Sequence, residues 1–241
     1  MCRGYRQRIV QKMLIKSEFE SKVCQSDIFR IANFENRHQL KQALDACQSH
    51  IITKIDDSKG DLINFLIAQG FRFSISTLHF ESGLEDSHEV SNDVFVELAE
   101  KDLHTLYAIS NEAFSSNNRY SNDEFLKDSN QEIHRKWIQN SVNGYADYSF
   151  GYIDNGLIAG FGTLHLHKDH TSIGLLATNL QHRRSGIASR IISYLKQVSL
   201  TEGRNRIISA TESCNCSAIN TYLKNKFFIY RSEISLYRLA R

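Results

Sequence analysis

The stretch "IGLLATNLQHRRSGIASRIISYL", residues 173–195, constrains the fold more than any other part of this chain. An apolar run is followed by two arginines, a glycine and a set of apolar residues at helical spacing, which predicts a strand, a short turn and a helix. The first turn of a helix leaves backbone N–H groups unpaired, and its dipole favours negative charge there. The sequence therefore predicts that a phosphate group binds at this turn.

The composition narrows the choice of ligand. Hydrophobic residues make up 41% of the 241 residues and charged residues 23%, which is ordinary for a globular protein. A net charge of +2 gives no general footprint for nucleic acid, so we expect a small phosphorylated ligand and no nucleic-acid partner. The N-terminal residues have no uninterrupted apolar core, and no run reaches about 18 apolar residues, so we expect neither a signal peptide nor membrane insertion.

The five cysteines are scattered, and only Cys214 and Cys216 are close in sequence. An odd number without a regular spacing argues against a disulfide framework and for a reducing compartment. A single C-x-C pair lacks the four ligands that a structural zinc site needs, so we expect no metal. These observations favour a cytoplasmic location.

The order of the predicted elements favours an α/β fold. Residues 1–18 form a poorly specified lead-in, and residues 19–80 read as strand, helix, strand, helix, strand. The polar segment "ESGLEDSHEVSN", residues 81–92, has no periodicity and marks the best domain boundary. We therefore expect a smaller α/β domain over residues 19–88 and a second domain over residues 89–241.

The second domain shows more strands than the first. Its predicted strands include a hairpin that turns at Asp154, Asn155 and Gly156. The two domains share one internal sequence similarity. Phe71 and Phe227 each follow a predicted helix and precede a predicted strand with alternating apolar residues. Two explanations stay open: any helix followed by a strand can look like this, or the chain contains a partial duplication.

The basic turn carries a short signature formed by Gln181, Arg183, Gly186 and Ala188. Small residues at 186 and 188 allow a diphosphate to reach the backbone N–H groups. In this setting the sequence resembles the GCN5-related N-acyltransferase (GNAT) superfamily, whose R/Q-x-x-G-x-G/A signature cradles the pyrophosphate of acyl-CoA. The resemblance covers about residues 92–241. It implies a mixed, twisted central sheet flanked by helices, with acetyl-CoA or another short acyl-CoA as co-substrate. The smaller domain before it then resembles a truncated unit of the same fold.

A closer resemblance concerns the nucleotide-sugar N-acyltransferases of the TDP-fucosamine N-acetyltransferase type. It rests on "IGLLA", "HRKWIQNSVNG", "NEAF" and residues 215–222. It implies transfer of an acetyl or small acyl group to the amino group of a dTDP-linked amino-deoxy sugar, in O-antigen or lipopolysaccharide biosynthesis. The partner would be the nucleotide sugar, and a homodimer is compatible with it. Two alternatives stay open, namely another amine acceptor (a peptide N-terminus, a polyamine or an antibiotic) and a CoA-binding sensor without catalysis.

Acyl transfer needs an uncharged amine, a group that protonates the leaving thiolate and a base. The resemblance implies that Tyr222 is the acid, although Tyr222 could also only pack on its helix face. Asn215 is implied to contact CoA or the reacting centre, and it would equally serve as a helix N-cap. His165 and His167 alternate along a predicted strand and are our candidates for the base, with a water-mediated carboxylate or a structural histidine pair as alternatives.

The remaining candidates are ligand contacts. The resemblance implies that a backbone N–H in the segment Leu176, Ala177 and Thr178 stabilises the oxyanion. The other cofactor contacts that we expect are Gln181, Arg183, Arg184, Ser185, Gly186, Ile187, Ala188, Ser189, Asn215 and Asn220. For the acceptor we expect Asn117, Arg119, Tyr120 and His165, although a solvated loop also explains the first three. Lys226 departs from the family pattern, which often has glycine before Phe227.

Overall fold

The structure, a computed structural model, describes residues 13–84 and 94–240. Cys2 and the predicted boundary at residues 88–89 lie outside the described residues. The chain divides into two compact units. Unit 1 takes in Met1–Thr77, Asn118–Asn130 and Ser232–Arg241, and unit 2 takes in Leu78–Asn117 and Gln131–Arg231.

Unit 1 is a small α/β unit. Its elements are β1 (Leu14–Lys16), α1 (Glu18–Cys24), β2 (Ile28–Ile31), α2 (Arg37–Ala46), β3 (His50–Asp56), α3 (Gly60–Ala68), the first half of β4 (Arg72–Gly83) and the end of β10 (Phe228–Arg238). The strand order is β1-β2-β3-β10-β4. β2 runs parallel to β3, whereas β1 and β10 pair antiparallel with their neighbours. β1 lies within the segment, residues 1–18, that the sequence predicts to be a poorly specified lead-in.

The helices of unit 1 follow the apolar spacing of the sequence. In α2, Leu40, Ala43 and Leu44 form one buried stripe. Asn36 caps this helix, because its side chain accepts a hydrogen bond from the N–H of Gln39 at 2.9 Å. The stripe packs into a core that unit 1 forms on its own.

Unit 2 has a larger mixed sheet. Its elements are the end of β4, then β5 (Phe95–Glu97), α4 (Leu103–Ala113), α5 (Asn130–Asn140), β6 (Tyr148–Asp154), β7 (Leu157–Leu166), β8 (Thr171–Thr178), α6 (Ile187–Thr201), β9 (Arg206–Glu212), α7 (Cys216–Lys224) and the start of β10. The strand order is β10-β4-β9-β8-β7-β6-β5. β5 to β8 pair antiparallel, and β8 runs parallel to β9. The predicted α/β class with a mixed central sheet flanked by helices is confirmed.

Two apolar clusters in unit 2 hold helices against the sheet. Ile187, Ile191 and Leu195 of α6 belong to one cluster, and α4 and α5 contribute to the other, which also contains Phe161 and Leu175. The turn between β6 and β7 has φ values of 49° at Asn155 and 78° at Gly156. Positive φ at both positions is the type I′ geometry, so the predicted hairpin is confirmed.

The internal similarity of the sequence corresponds to a structural repeat. β3 corresponds to β9 and α3 to α7 with a constant offset of 156 residues, because His50 matches Arg206 and Gly60 matches Cys216. Both helices end in the same way, since the N–H of Phe71 bonds the carbonyl of Leu66 and the N–H of Phe227 that of Tyr222, each at 3.1 Å. This repeat favours a partial duplication.

A search of the described helices for a segment long and apolar enough to cross a bilayer finds none.

Candidate active site

The site is built around a divergence of two parallel strands in unit 2. Along the described part of the chain, β8 and β9 pair only at Thr171 with Ile207 and at Ser172 with Ile208. Beyond these pairs, β8 continues to Thr178 and β9 to Glu212 with no further pairing between their described residues. On its other side β8 has a bulge, since the register with β7 shifts between Gly162 and Leu164. The bulge is fixed by the hydroxyl of Thr163, which accepts a hydrogen bond from the N–H of Leu175 at 2.8 Å.

The divergence leaves backbone groups of β8 without a strand partner. The N–H of Asn179 bonds the carbonyl of Ala159 on β7 at 2.9 Å. Because the groups along a strand alternate in direction, the N–H of Ala177 also faces β7, whereas those of Leu176 and Thr178 face the divergent side. Of the three residues predicted to supply an oxyanion donor, these two present their N–H groups to the opening.

The N-terminus of α6 has the features that a diphosphate site needs. Gly186 is its N-cap with φ 84° and has no side-chain cap, so the N–H groups of the first turn are exposed. A Cβ at position 186 would meet no atom of the described residues within 4 Å, so there is open space at the helix start. The residues therefore fit the diphosphate of acyl-CoA.

The basic residues flank this helix start. Gln181, Arg183 and Arg184 are exposed, and Arg184 adopts a left-handed φ of 65°. The Ser185 hydroxyl donates to the carbonyl of His182 at 2.5 Å, which closes the turn. The Ser189 hydroxyl is occupied, because it accepts a hydrogen bond from the side-chain amide of Asn225 at 2.9 Å. Ile187 is buried in the core, so only its backbone can contact a ligand.

Tyr222 lies on α7 with its ring in the core and its hydroxyl against β9. The ring is 4% exposed and lies 5.0 Å from that of Phe80. The hydroxyl accepts a hydrogen bond from Ser209 at 2.7 Å. Ser209 directly follows the last residue of β9 that pairs with β8, so this hydroxyl lies where the strands begin to diverge. Burial raises the pKa of Tyr222 to about 12, which keeps the phenol protonated at neutral pH.

Asn215 and Asn220 take different positions on α7. Asn215 is the N-cap, because its side-chain oxygen accepts from the N–H of Ala218 at 3.2 Å. Its side-chain amide also donates to the Thr211 hydroxyl at 3.1 Å, which ties the helix start to β9. Asn220 is exposed on the same helix. The capping alternative for Asn215 is thus present, and contact with CoA stays a prediction for both residues.

The two candidate histidines do not share a strand. His165 lies on β7 against Gly174 of the bulge, where a Cβ would come within 2.6 Å of its Nε2 atom. Burial lowers the pKa of His165 from its ordinary value of 6.5, against the opposing charge of Asp147. β7 ends at Leu166, so His167 lies in the following loop, where Nε2 is 2.9 Å from the Ser172 hydroxyl. The expectation that both project from one face of a strand is therefore wrong for His167.

The predicted acceptor residues fall in both units. Asn117 belongs to unit 2, where its carbonyl accepts from the Cys214 thiol at 3.7 Å, next to the start of α7. Arg119 and Tyr120 belong to unit 1. Tyr120 is 1% exposed and donates to Glu20 at 2.9 Å. Each contact with an acceptor stays a prediction.

Two features of the site were missed in the sequence. Because Gly174 has no side chain, the imidazole of His165 can pack against the bulge. A single glycine in an apolar strand often marks a bulge. Glu212 ends β9, and its charge is one of the causes that raise the pKa of Tyr222. It is the carboxylate that could serve in place of a histidine base. No group of three or more residues with metal-ligand side chains occurs within residues 13–84 and 94–240.

The comparisons with known proteins agree with this geometry. The sequence profile described as "Acetyltransferase (GNAT) family" matches residues 103–227. Curated protein sequences give no match.

Three solved structures illustrate the likeness of fold. A GCN5-related N-acetyltransferase from Sphaerobacter thermophilus has a TM-score of 0.60 at 13% identity, over 89% of this chain and 73% of that chain. A tandem GNAT protein from the clavulanic acid biosynthesis pathway has a TM-score of 0.61 at 12% identity, over 89% and 75%. A GCN5-related glucosamine N-acetyltransferase region of a fungal multi-domain β-N-acetylglucosaminidase has a TM-score of 0.56 at 12% identity, over 88% and 30%. Because the family profile covers more than half of its residues, the chain belongs to the GNAT acetyltransferase family, a class of acyl-CoA-dependent N-acyltransferases.

Proposed function

We propose that the protein transfers an acetyl or other small acyl group from acyl-CoA to the amino group of a dTDP-linked amino-deoxy sugar. The acyl-CoA part of this proposal follows from the family and from the open N-terminus of α6. The acceptor is suggested by the segments that resemble the TDP-fucosamine N-acetyltransferase type. The solved fungal glucosamine N-acetyltransferase region is a fold neighbour that acts on an amino sugar by its description.

One observation carries the choice of a polar acceptor. Asn117 lies beside Cys214, between the end of β9 and the start of α7, through the contact of its carbonyl with the thiol. Asn117 is thus anchored at the open end of the divergent strands. A side-chain amide is suited to hydroxyls, which a nucleotide sugar carries in number.

In the proposed mechanism, each of the named residues acts in one step of acyl transfer. Acyl-CoA supplies a thioester, and the amine attacks its carbonyl carbon. The N–H of Leu176 donates to the carbonyl oxygen as negative charge develops there. His165 or Glu212 accepts the amine proton, directly or through water. Tyr222 donates its phenolic proton to the sulfur as the bond to carbon breaks, which releases the free thiol.

The acceptor class is tested by thiol release from acetyl-CoA with a panel of amines. The panel contains dTDP-linked 3-amino and 4-amino deoxy sugars, spermidine, an unblocked peptide and an aminoglycoside. We expect turnover with at least one amino sugar and a product that is heavier by one acetyl group in mass spectrometry. Turnover of another amine, with no turnover of either amino sugar, would contradict the proposed acceptor and identify that amine as the acceptor instead. Binding of acetyl-CoA without turnover of any amine would favour the sensor alternative.

A further inference from the structure

Unit 1 contains a cavity that the acyl-transfer chemistry does not use. Residues 118–130 cover one face of the unit 1 sheet and are held there by polar contacts. The Asp123 carboxylate lies 2.9 Å from Nε2 of His50, and both side chains are buried. The Ser74 hydroxyl donates to the carbonyl of Arg119 at 2.9 Å, and its own carbonyl accepts from Asn122 at 3.1 Å. A cavity of about 230 Å³ remains between this segment and the sheet.

The cavity forms where two strands of unit 1 part. β2 and β3 pair as far as Arg30 with Ile52, and β2 ends one residue later, whereas β3 continues to Asp56. Arg30, Ile52 and Lys54 all line the cavity. This is the repeat's counterpart of the divergence in unit 2, but it lacks the diphosphate site. The helix after β2, α2, is capped by Asn36, whose side chain accepts a hydrogen bond from an N–H of the first turn.

The charges around the cavity favour an anion. The three cations in its lining are Arg30, Lys54 and Arg119. Lys54 lies 4.0 Å from Glu233, and Arg119 lies 3.6 Å from Glu20, so both are partly neutralised. Asp123, the carboxylate in the lining, is engaged with His50. Arg30 is exposed and makes no ion pair with any described residue.

A buried hydroxyl supplies a second, independent sign of a ligand. Ser235 lines the cavity, is 4% exposed, and its Oγ atom has no hydrogen-bond partner among the described residues. Buried hydroxyls in proteins are normally paired. Ser235 pairs with Lys54 across the two strands, so the two side chains project from the same face of the sheet. Ile52 and Leu126 give the same cavity an apolar part.

We propose that unit 1 binds a small organic carboxylate in this cavity. The carboxylate oxygens accept hydrogen bonds from the guanidinium of Arg30 and the hydroxyl of Ser235, and the apolar part of the ligand lies against Ile52 and Leu126. A volume of about 230 Å³ suits a molecule of the size of an aromatic or branched-chain acid and is too small for CoA. This inference is independent of the amino-sugar proposal, because it concerns residues of unit 1 alone.

The test titrates the full chain by calorimetry with benzoate and isovalerate, and with their neutral isosteres benzamide and isovaleramide. We expect saturable binding of at least one carboxylate and binding of its amide that is weaker by about tenfold or more, since charge-assisted hydrogen bonds are the stronger ones. Inorganic phosphate is titrated as a separate arm. Absence of binding by both carboxylates, equal binding of the amides, or binding of phosphate alone would overturn the proposal.

Two variants with matched controls locate the site. Ser235→Ala and Arg30→Gln should each weaken carboxylate binding by about tenfold, because each removes one hydrogen-bond donor to the ligand. Ser49→Ala and Arg37→Gln remove a hydroxyl and a cation elsewhere in unit 1 and should leave the affinity unchanged. Acetyl-CoA binding should be unchanged in all four variants. Equal affinity in Ser235→Ala and Ser49→Ala would show that the carboxylate binds elsewhere and would overturn the assignment.

Discussion

At the scale of single residues, the proposed mechanism depends most on Tyr222. The ring contributes to the core, and the hydroxyl lies where the strands diverge, so its packing and its proposed proton donation can be tested separately. Tyr222→Phe keeps the ring and removes the proton. We expect kcat to fall by about 10²- to 10⁴-fold, the usual contribution of a general acid, with acetyl-CoA affinity retained. Thiol release and calorimetry on the same preparations measure both.

The control for this variant is Tyr152→Phe. Tyr152 is also a buried tyrosine of unit 2, and its hydroxyl accepts from Arg190 instead of facing β9. Loss of this hydroxyl should leave kcat within about threefold, since the hydroxyl bonds α6 and does not face the divergent strands. A similar loss of kcat in both variants would indicate a general packing effect and remove the acid role from Tyr222.

The pH dependence tests His165. Burial lowers the pKa of its imidazole below 6.5, so the neutral, proton-accepting form is fully present above that value and is lost as the pH falls through the shifted pKa. If His165 is the base, kcat/KM of the wild type should fall on the acid side with a limb below pH 6.5. His165→Gln should lose this limb, and only the ionisation of the acceptor amine should remain. Identical profiles would transfer the role to Glu212.

The part of the candidate site that depends on backbone conformation could be predicted from individual residues of the sequence. Gly186 and the basic turn are local in sequence, and a turn before an amphipathic helix has few structural solutions. His167 was placed incorrectly because alternation was extended beyond Leu166, where β7 ends. The cavity around Ser235 was not predictable, since its lining comes from five separate segments of the chain.

At the scale of elements, the approach of α6 to β7 depends on glycines in the strand. A Cβ at Gly162 would come within 2.7 Å of Ile191 and 3.0 Å of Leu195. Gly162→Ala should therefore destabilise the protein by about 1–3 kcal/mol through overpacking. Gly83→Ala is the control, because its Cβ would meet no atom of residues 13–84 and 94–240 within 4 Å. Denaturant unfolding of both variants measures the difference, and equal midpoints would show that α6 does not pack closely on Gly162.

The ends of the repeated helices give a second prediction at this scale. Both α3 and α7 are followed by a residue with positive φ, which is Gly70 in the first repeat and Lys226 in the second. A side chain in this conformation is strained, so Lys226→Gly should stabilise the protein and Gly70→Ala should destabilise it, each by about 1 kcal/mol. Thermal unfolding should move in opposite directions for the two variants. A lower midpoint for Lys226→Gly would contradict this reading of the helix end.

Elements were easier to predict than their extent. The hairpin at Asn155 and Gly156 and the helix before Phe227 follow from local turn chemistry and apolar spacing. The short strand β1 has only three residues, Leu14 to Lys16, and its existence depends on pairing with β2. Because that pairing is a tertiary contact, the local sequence gave no sign of it.

At the scale of the whole molecule, the chain holds two related units that have diverged in chemistry. Both place a helix after a strand that runs parallel to the next, but the helix starts differ. α2 is capped by the side chain of Asn36, whereas α6 begins at Gly186 with open first-turn N–H groups. Leu66 of the first repeat stands where the second has Tyr222, as the matching hydrogen bonds at the helix ends show. Unit 2 is therefore the unit that we propose to bind acyl-CoA and to donate the proton.

The most direct test of this central claim is calorimetric titration of the full chain with acetyl-CoA, beside the variant Gly186→Asn. Asparagine tolerates a positive φ, so the variant should fold, while its side chain fills the space in front of the first-turn N–H groups. We predict one site per chain in the wild type and at least about tenfold weaker binding in the variant, since the charge-assisted hydrogen bonds to the diphosphate are lost. Two sites per chain, or unchanged affinity in Gly186→Asn, would contradict the account.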